Sequence, residues 1–245
     1  MLIGGLQKTT LIDFPGRVAC TVFTVGCNFR CGFCHNPELV LTEKFKKRDW
    51  IEEDEIWKFL EKRKKVLDGV CITGGEPTMQ VDLEEWIEKV VKKGLEIKLD
   101  TNGSNFKVVE RLMKKGLVSR WAIDFKAEWK SYGEVVGKEI DVDQVRKSIE
   151  LMMREGKEWE IRTTVVPGVH DEKRLKKMKK QLGELGEKTG KEIEWVWQRF
   201  LPGKCLDKGF DKKEVMEWLE IEEIKKRVEG NGEGRVKVVL RGREE

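Results

Sequence analysis

The chain has no apolar run near the roughly 20 residues that a membrane-spanning helix needs. Its first seven residues lack the basic-then-apolar pattern of an export signal, so a cytoplasmic protein is expected. No charge sign dominates: 49 basic against 45 acidic residues leave a net charge of +4. Most Lys and Glu are interleaved, as in 61–65 and 220–227, which reads as solvated helix faces. No basic stripe marks a nucleic-acid surface. Asn and Gln are scarce, and with abundant Lys and Glu this fits a thermophile. Low-complexity segments and sequence repeats are absent as well.

What is present is an alternation. β-type runs at 18–25, 69–73, 95–99, 120–123, 159–165 and 193–197 alternate with amphipathic helical stretches at 52–65, 83–93, 106–115, 142–154 and 173–188. A helical pattern at 212–228 and a strand pattern at 236–240 follow. About six strand–helix units predict a partial (open) parallel α/β barrel, a fold that suits 245 residues. One domain spanning 1–245 is expected, with a cluster loop at 26–37 and a C-terminal extension from about 208. Polar or Gly-rich residues follow each strand: the Cys cluster, Gly74-Gly75-Glu76-Pro77, Asp100-Thr101-Asn102-Gly103, Asp124-Phe125-Lys126, Arg162 to Gly168, and Gln198 to Pro202. The C-terminal ends of parallel strands are where such barrels place their active sites.

Cysteine is sparse and unevenly spread. Cys27, Cys31 and Cys34 are clustered, whereas Cys20, Cys71 and Cys205 stand alone and read as packing residues. Without an export signal, the cluster points to a metal site rather than to disulfides. Three thiolates on a short loop can wrap one face of a cubane cluster and leave its fourth iron free for a substrate. A structural zinc site needs four ligands. His35 directly follows Cys34, closer than zinc ligands are usually spaced, and no second Cys pair lies nearby. A zinc-binding or nucleic-acid-binding module is therefore the alternative of another class. His170 is given no role.

The segment Cys27-Asn28-Phe29-Arg30-Cys31-Gly32-Phe33-Cys34 resembles the CxxxCxxC signature of the radical S-adenosylmethionine (SAM) superfamily, including the aromatic before the third Cys. The resemblance implies one 4Fe-4S cluster on Cys27, Cys31 and Cys34. It also implies S-adenosyl-L-methionine chelated at the open iron and cleaved reductively to a 5′-deoxyadenosyl radical. Gly74-Gly75-Glu76-Pro77 resembles the superfamily's GGE motif, which contacts the methionine amino group; Gly permits the close backbone approach.

Asp100-Thr101-Asn102-Gly103 and Asp124-Phe125-Lys126 resemble segments of glycyl-radical-enzyme activases and imply a monovalent cation near Asp100, Thr101 and Asp124. By themselves, Asn-Gly is a turn dipeptide and Lys126 a snorkelling surface lysine. Arg162, inside an apolar stretch, needs a partner, either a methionine carboxylate or Asp124. On the resemblance, Phe33, Gly74, Gly75, Glu76, Asp100, Thr101, Asn102, Asp124, Lys126, Arg162, Thr164 and Gln198 bind the cofactor.

The opening Gly4-Gly5-Leu6-Gln7-Lys8-Thr9-Thr10-Leu11-Ile12-Asp13-Phe14-Pro15-Gly16 resembles that of the anaerobic ribonucleotide reductase activating proteins. So do Cys34-His35-Asn36-Pro37-Glu38-Leu39, Gln198-Arg199-Phe200-Leu201-Pro202 and Cys205-Leu206-Asp207. The implied partners are a glycyl radical enzyme, anaerobic ribonucleotide reductase, and an electron donor such as flavodoxin or ferredoxin. Pyruvate formate-lyase activases carry a His where this chain has Lys204, a departure from that group. The alternative within the superfamily is chemistry on a small molecule or nucleoside precursor, as in 7-carboxy-7-deazaguanine synthase. Its residues after the third Cys differ from His35-Asn36-Pro37.

Overall fold

The computed structural model describes residues 1–42, 50–230 and 234–242. The expected C-terminal extension therefore includes short stretches, 231–233 and 243–245, outside the described residues.

Eight strands form one sheet in chain order: β1 (Ile3–Thr10), β2 (Ala19–Thr24), β3 (Gly69–Gly74), β4 (Glu96–Thr101), β5 (Arg120–Asp124), β6 (Glu158–Val165), β7 (Ile193–Arg199) and β8 (Val236–Arg241). β1 runs antiparallel to β2, and every later neighbouring pair is parallel. Among the described residues nothing pairs β8 with β1, so the barrel is open. The helices are α1 (Pro37–Val40), α2 (Glu53–Arg63), α3 (Leu83–Val91), α4 (Phe106–Lys114), α5 (Tyr132–Val136), α6 (Val142–Glu155), α7 (Glu172–Thr189) and α8 (Trp218–Glu229). No described helix is long and apolar enough to cross a membrane.

Helix packing follows from spacing. α3 buries Leu83, Trp86, Ile87 and Val90, one apolar stripe against the sheet. α7 starts where the Asp171 side chain accepts a hydrogen bond from the Arg174 N–H and stops at Gly190, whose φ of 72° is left-handed.

Besides the short helices α1 and α5, which were not expected, two elements differ from the sequence expectation. β1 was not foreseen, because two glycines and a polar tail hide its strand character. Gly5 packs closely there: a Cβ would come 3.2 Å from the Phe23 ring on β2. The last helix begins at Trp218 rather than at 212, because the preceding chain is occupied elsewhere: Lys213 Nζ donates to the Pro167 carbonyl at 2.9 Å.

The inside of the sheet is charged. Alternate residues share a face, and on that face Lys98 pairs with Asp100, and Arg162 reaches Asp100 at 2.8 Å and Asp124 at 3.0 Å. Deeper in, Glu160 is buried and receives Arg241 through both nitrogens, at 3.1 and 2.5 Å. Arg120 lies 3.5 Å from the same carboxylate.

Burial disfavours the Glu160 charge, but the Arg241 hydrogen bonds and the nearby Arg162 outweigh it and hold the carboxyl at about 2. A folded value below the unfolded one means that this stabilisation is complete above about pH 5 and is lost as pH falls toward 2. Glu160→Ala is expected to cost about 1–3 kcal/mol near neutrality, by removing the two charged hydrogen bonds to the half-buried Arg241. Urea unfolding across pH checks this, and the variant's stability should be flatter between about pH 5 and 2.

Candidate active site

The parallel strands deliver their following loops to one end of the barrel, where a single cavity forms. Its lining includes Cys27, Cys31 and Cys34 from the loop after β2, Gly74, Gly75 and Glu76 after β3, and Asp100, Thr101 and Asn102 at the end of β4. Asp124 ends β5 and Lys126 follows it, Arg162 and Thr164 come from β6, and Phe33 lies beside the thiols. Of the residues expected at the site, Gln198 alone is not part of this lining; it sits near the end of β7, in register with Thr164 and Arg241. Phe29, His35, Asn36, Val40 and Thr73 also line the cavity and were not expected. Their signal was adjacency: four lie in or beside the cluster loop, and Thr73 directly precedes the Gly pair.

The Gly pair is a requirement of packing. Gly75 N–H donates to the Thr24 carbonyl at 2.8 Å and Glu76 N–H to the Gly26 carbonyl at 2.7 Å. A Cβ on Gly75 would lie 2.1 Å from the Gly26 oxygen, and Gly74, at φ 116°, would meet Thr24 backbone at 2.3 Å. No other side chain allows this approach of the two loops.

Glu76, expected at a methionine ammonium, borders the cavity and engages protein donors through both carboxylate oxygens. Its Oε1 accepts from Thr78 N–H at 3.1 Å, Thr78 hydroxyl at 2.5 Å and Thr101 hydroxyl at 2.6 Å; its Oε2 accepts from Asn102 N–H at 2.7 Å. Burial pushes its carboxyl above the ordinary value. Asn102 Nδ2 in turn donates to Asn28 Oδ1 at 2.9 Å, and Asn28 Nδ2 to Ser104 Oγ at 2.7 Å, which ties this loop to the cysteine loop.

The expected monovalent cation meets a different arrangement. Arg162 lies between the carboxylates of Asp100 and Asp124, so a guanidinium supplies the positive charge there, and the Thr101 hydroxyl is turned onto Glu76. Burial works against the Asp124 charge, yet Lys126 and Arg162 hold its carboxyl well below the usual range. Lys126 is no surface lysine: its Nζ pairs with Asp124 Oδ2 at 3.2 Å on the cavity wall. As free thiols, the three cysteines are pushed up by burial, Cys27 to about 12 and Cys31 to about 11, and Lys126 opposes this at each of them. The His35 ring is stacked on Phe200 at 5.1 Å with Nε2 2.5 Å from the Leu201 carbonyl.

His170 emerges as a structural latch. Its Nδ1 accepts from Val166 N–H at 3.0 Å, and its Nε2–H donates to the Lys126 carbonyl at 2.8 Å, a pattern that requires the neutral ring.

The profile of the Radical SAM superfamily matches residues 21–180. This chain belongs to the radical SAM superfamily. It is similar to a Methanocaldococcus jannaschii protein provisionally named a glycyl-radical enzyme activating enzyme, with 32% identity covering 92% of this chain and 90% of that one. It also resembles the GTP 3′,8-cyclase of Helicobacter pylori, with 26% identity covering 80% and 60%. Among solved structures, Streptococcus suis SuiB bound to S-adenosylmethionine superposes with a TM-score of 0.65 at 17% identity, over 89% of this chain. The chain spans about half of SuiB, 49% of its length, so that likeness concerns the fold.

The protein is thus a radical SAM enzyme, and membership implies a 4Fe-4S cluster and S-adenosylmethionine. The residues fit both groups. All three cysteines are free thiols on one cavity wall. Among the described residues no His, Cys, Asp or Glu trio is placed to hold a single metal ion.

Burial lowers the His170 pKa to about 4. The unfolded chain then binds more protons below about pH 6.5, so stability falls as pH drops from there toward 4. His170→Asn is expected to remove that segment of the pH–stability curve while lowering stability at pH 7 by roughly 1–3 kcal/mol. Thermal unfolding of the two proteins across pH checks it.

Proposed function

We propose that the protein is an activase, one radical SAM domain that places a radical on a glycine of a partner enzyme, anaerobic ribonucleoside-triphosphate reductase. The observation that carries this is the similarity to the Methanocaldococcus jannaschii activating enzyme over nearly the full length of both chains. The subgroup features at both ends of the sequence support the choice of partner. A cytoplasmic setting and a flavodoxin- or ferredoxin-type electron donor belong to the same reading.

Cys27, Cys31 and Cys34 would hold the cluster through deprotonated sulfurs, and Lys126 would place a positive charge beside them. When bound, the cluster supplies one electron to the sulfonium, giving methionine and a 5′-deoxyadenosyl radical that takes the hydrogen atom from the glycine Cα. The chain's own work is to bind, orient and exclude water. The Gly74-Gly75 backbone borders the cavity where an ammonium could be received, and Arg162 is the cation suited to a methionine carboxylate. Asp100 and Asp124 hold that guanidinium in place, while Phe29, Phe33 and Val40 line the apolar part of the cavity. Excluding water there protects a reactive intermediate.

A second reading, radical chemistry on a small molecule, is favoured by the Helicobacter pylori GTP 3′,8-cyclase match. One experiment separates the two. Anaerobically reconstituted, reduced protein is mixed with S-adenosylmethionine and the reductase of the same organism, and electron paramagnetic resonance is recorded. A glycyl doublet is expected, and it should collapse when the glycine Cα is deuterated. Conversion of GTP with no protein radical supports the second reading instead. Reconstituted protein should hold about four iron per chain. Cys27→Ala, Cys31→Ala and Cys34→Ala should each abolish this, and Cys71→Ala should not.

A further inference from the structure

The segment 201–210, which leaves the end of β7, crosses back over the cysteine loop. It lies outside residues 21–180 matched by the superfamily profile. Leu206 N–H donates to the Cys34 carbonyl at 3.0 Å and Asp207 N–H to the Gly32 carbonyl at 2.9 Å. These bonds flank Phe33 and fix the backbone on both sides of it. The Phe210 ring meets Phe33 with centroids 6.1 Å apart. It also fills the space that a side chain at Gly32 would need: a Cβ there would lie 2.8 Å from the Phe210 ring and 3.2 Å from Asp207 Cβ.

Further along, His35 Nε2 lies 2.5 Å from the Leu201 carbonyl, and Lys204 pairs with Glu38 at 3.2 Å. The segment is braced from behind: Cys205 N–H donates to Asp211 Oδ1 at 2.8 Å, and Lys213 Nζ sits 4.8 Å over the Phe210 ring. Two backbone bonds, an aromatic contact and a glycine with no room for Cβ thus converge on the last turn of the cysteine loop.

We propose that 201–210 is a clamp on the cluster loop, with Leu206, Asp207 and Phe210 as positioning residues that keep Cys31 and Cys34 in the geometry that retains the cluster. This rests on the reading of Cys27, Cys31 and Cys34 as the cluster ligands. Because coupling between two sites is reciprocal, a filled cysteine loop must tighten the clamp as much as the clamp tightens the loop.

The experiment uses the full chain, reconstituted anaerobically, and two readouts. The first is the rate of iron transfer to a ferrous chelator. Gly32→Ala pushes the clamp away, and Phe210→Ala removes its ring. Each should release iron roughly tenfold faster, the effect of weakening the two backbone bonds by about half of their net worth each. In the double variant the added methyl no longer meets the ring. It should release iron no faster than either single variant, a non-additivity that local strain in the cysteine loop would not give.

The second readout is trypsin cleavage of the wild-type chain after Lys204 and Lys208, both exposed. Cluster loading should slow it severalfold, and this measurement stands even where a variant fails to fold. Folded variants that keep iron like the wild type, with trypsin cleavage indifferent to loading, overturn the clamp. A wild-type chain that binds no iron overturns the cluster reading beneath it.

Discussion

Both oxygens of one buried carboxylate, Glu76, are taken up by protein donors, and the geometry of three loops follows. Oε1 holds Thr78 of its own loop and Thr101 of the next strand end, and Oε2 holds the Asn102 backbone. Asn102 carries the connection to Asn28 in the cysteine loop. A buried carboxylate with all these donors is tolerated, whereas one left without them would be costly, so the loops have little freedom to separate. The Gly74-Gly75 backbone closes the same junction from the other side. The thiols and the Gly backbone on the cavity wall stand where they do because this junction is rigid.

The charged interior is a second consequence of the parallel architecture. A barrel of this size could be filled with branched aliphatic side chains. Here Lys98, Asp100, Arg162, Asp124 and Glu160 are stacked instead, each with an opposite charge beside it. Buried ion pairs add little net stability compared with apolar packing. They do leave Arg162 oriented at the cavity with no rearrangement needed, and preorganised charge is what a reactive site requires.

Much of this was legible in the sequence, for identifiable reasons. Six parallel strands and the cysteine loop carry local signals: apolar runs alternating with amphipathic helical stretches, polar or Gly-rich strand ends and Cys spacing. These gave the open barrel, and the resemblance to known motifs gave the twelve cofactor-contact candidates, of which all but Gln198 line one cavity. Arg162 was expected to need a partner, a methionine carboxylate or Asp124; it meets Asp124 and also Asp100, which was not foreseen. What escaped depends on contacts between residues far apart in sequence. β1 is an edge strand whose Gly5 packs against Phe23. The engagement of Glu76 by protein donors, the latch at His170 and the crossing of 201–210 over Gly32 are set by partners dozens of residues away. The cation expected between Asp100 and Asp124 rested on resemblance, and in this chain Arg162 lies between those carboxylates.

The central claim is that this cavity cleaves S-adenosylmethionine by one-electron reduction. The most direct measurement is product formation by the anaerobically reconstituted, reduced protein given S-adenosylmethionine alone. The account predicts slow release of 5′-deoxyadenosine and methionine in equal amounts, dependent on reductant and absent in Cys31→Ala. Intact, reducible iron–sulfur protein that forms neither product would contradict it.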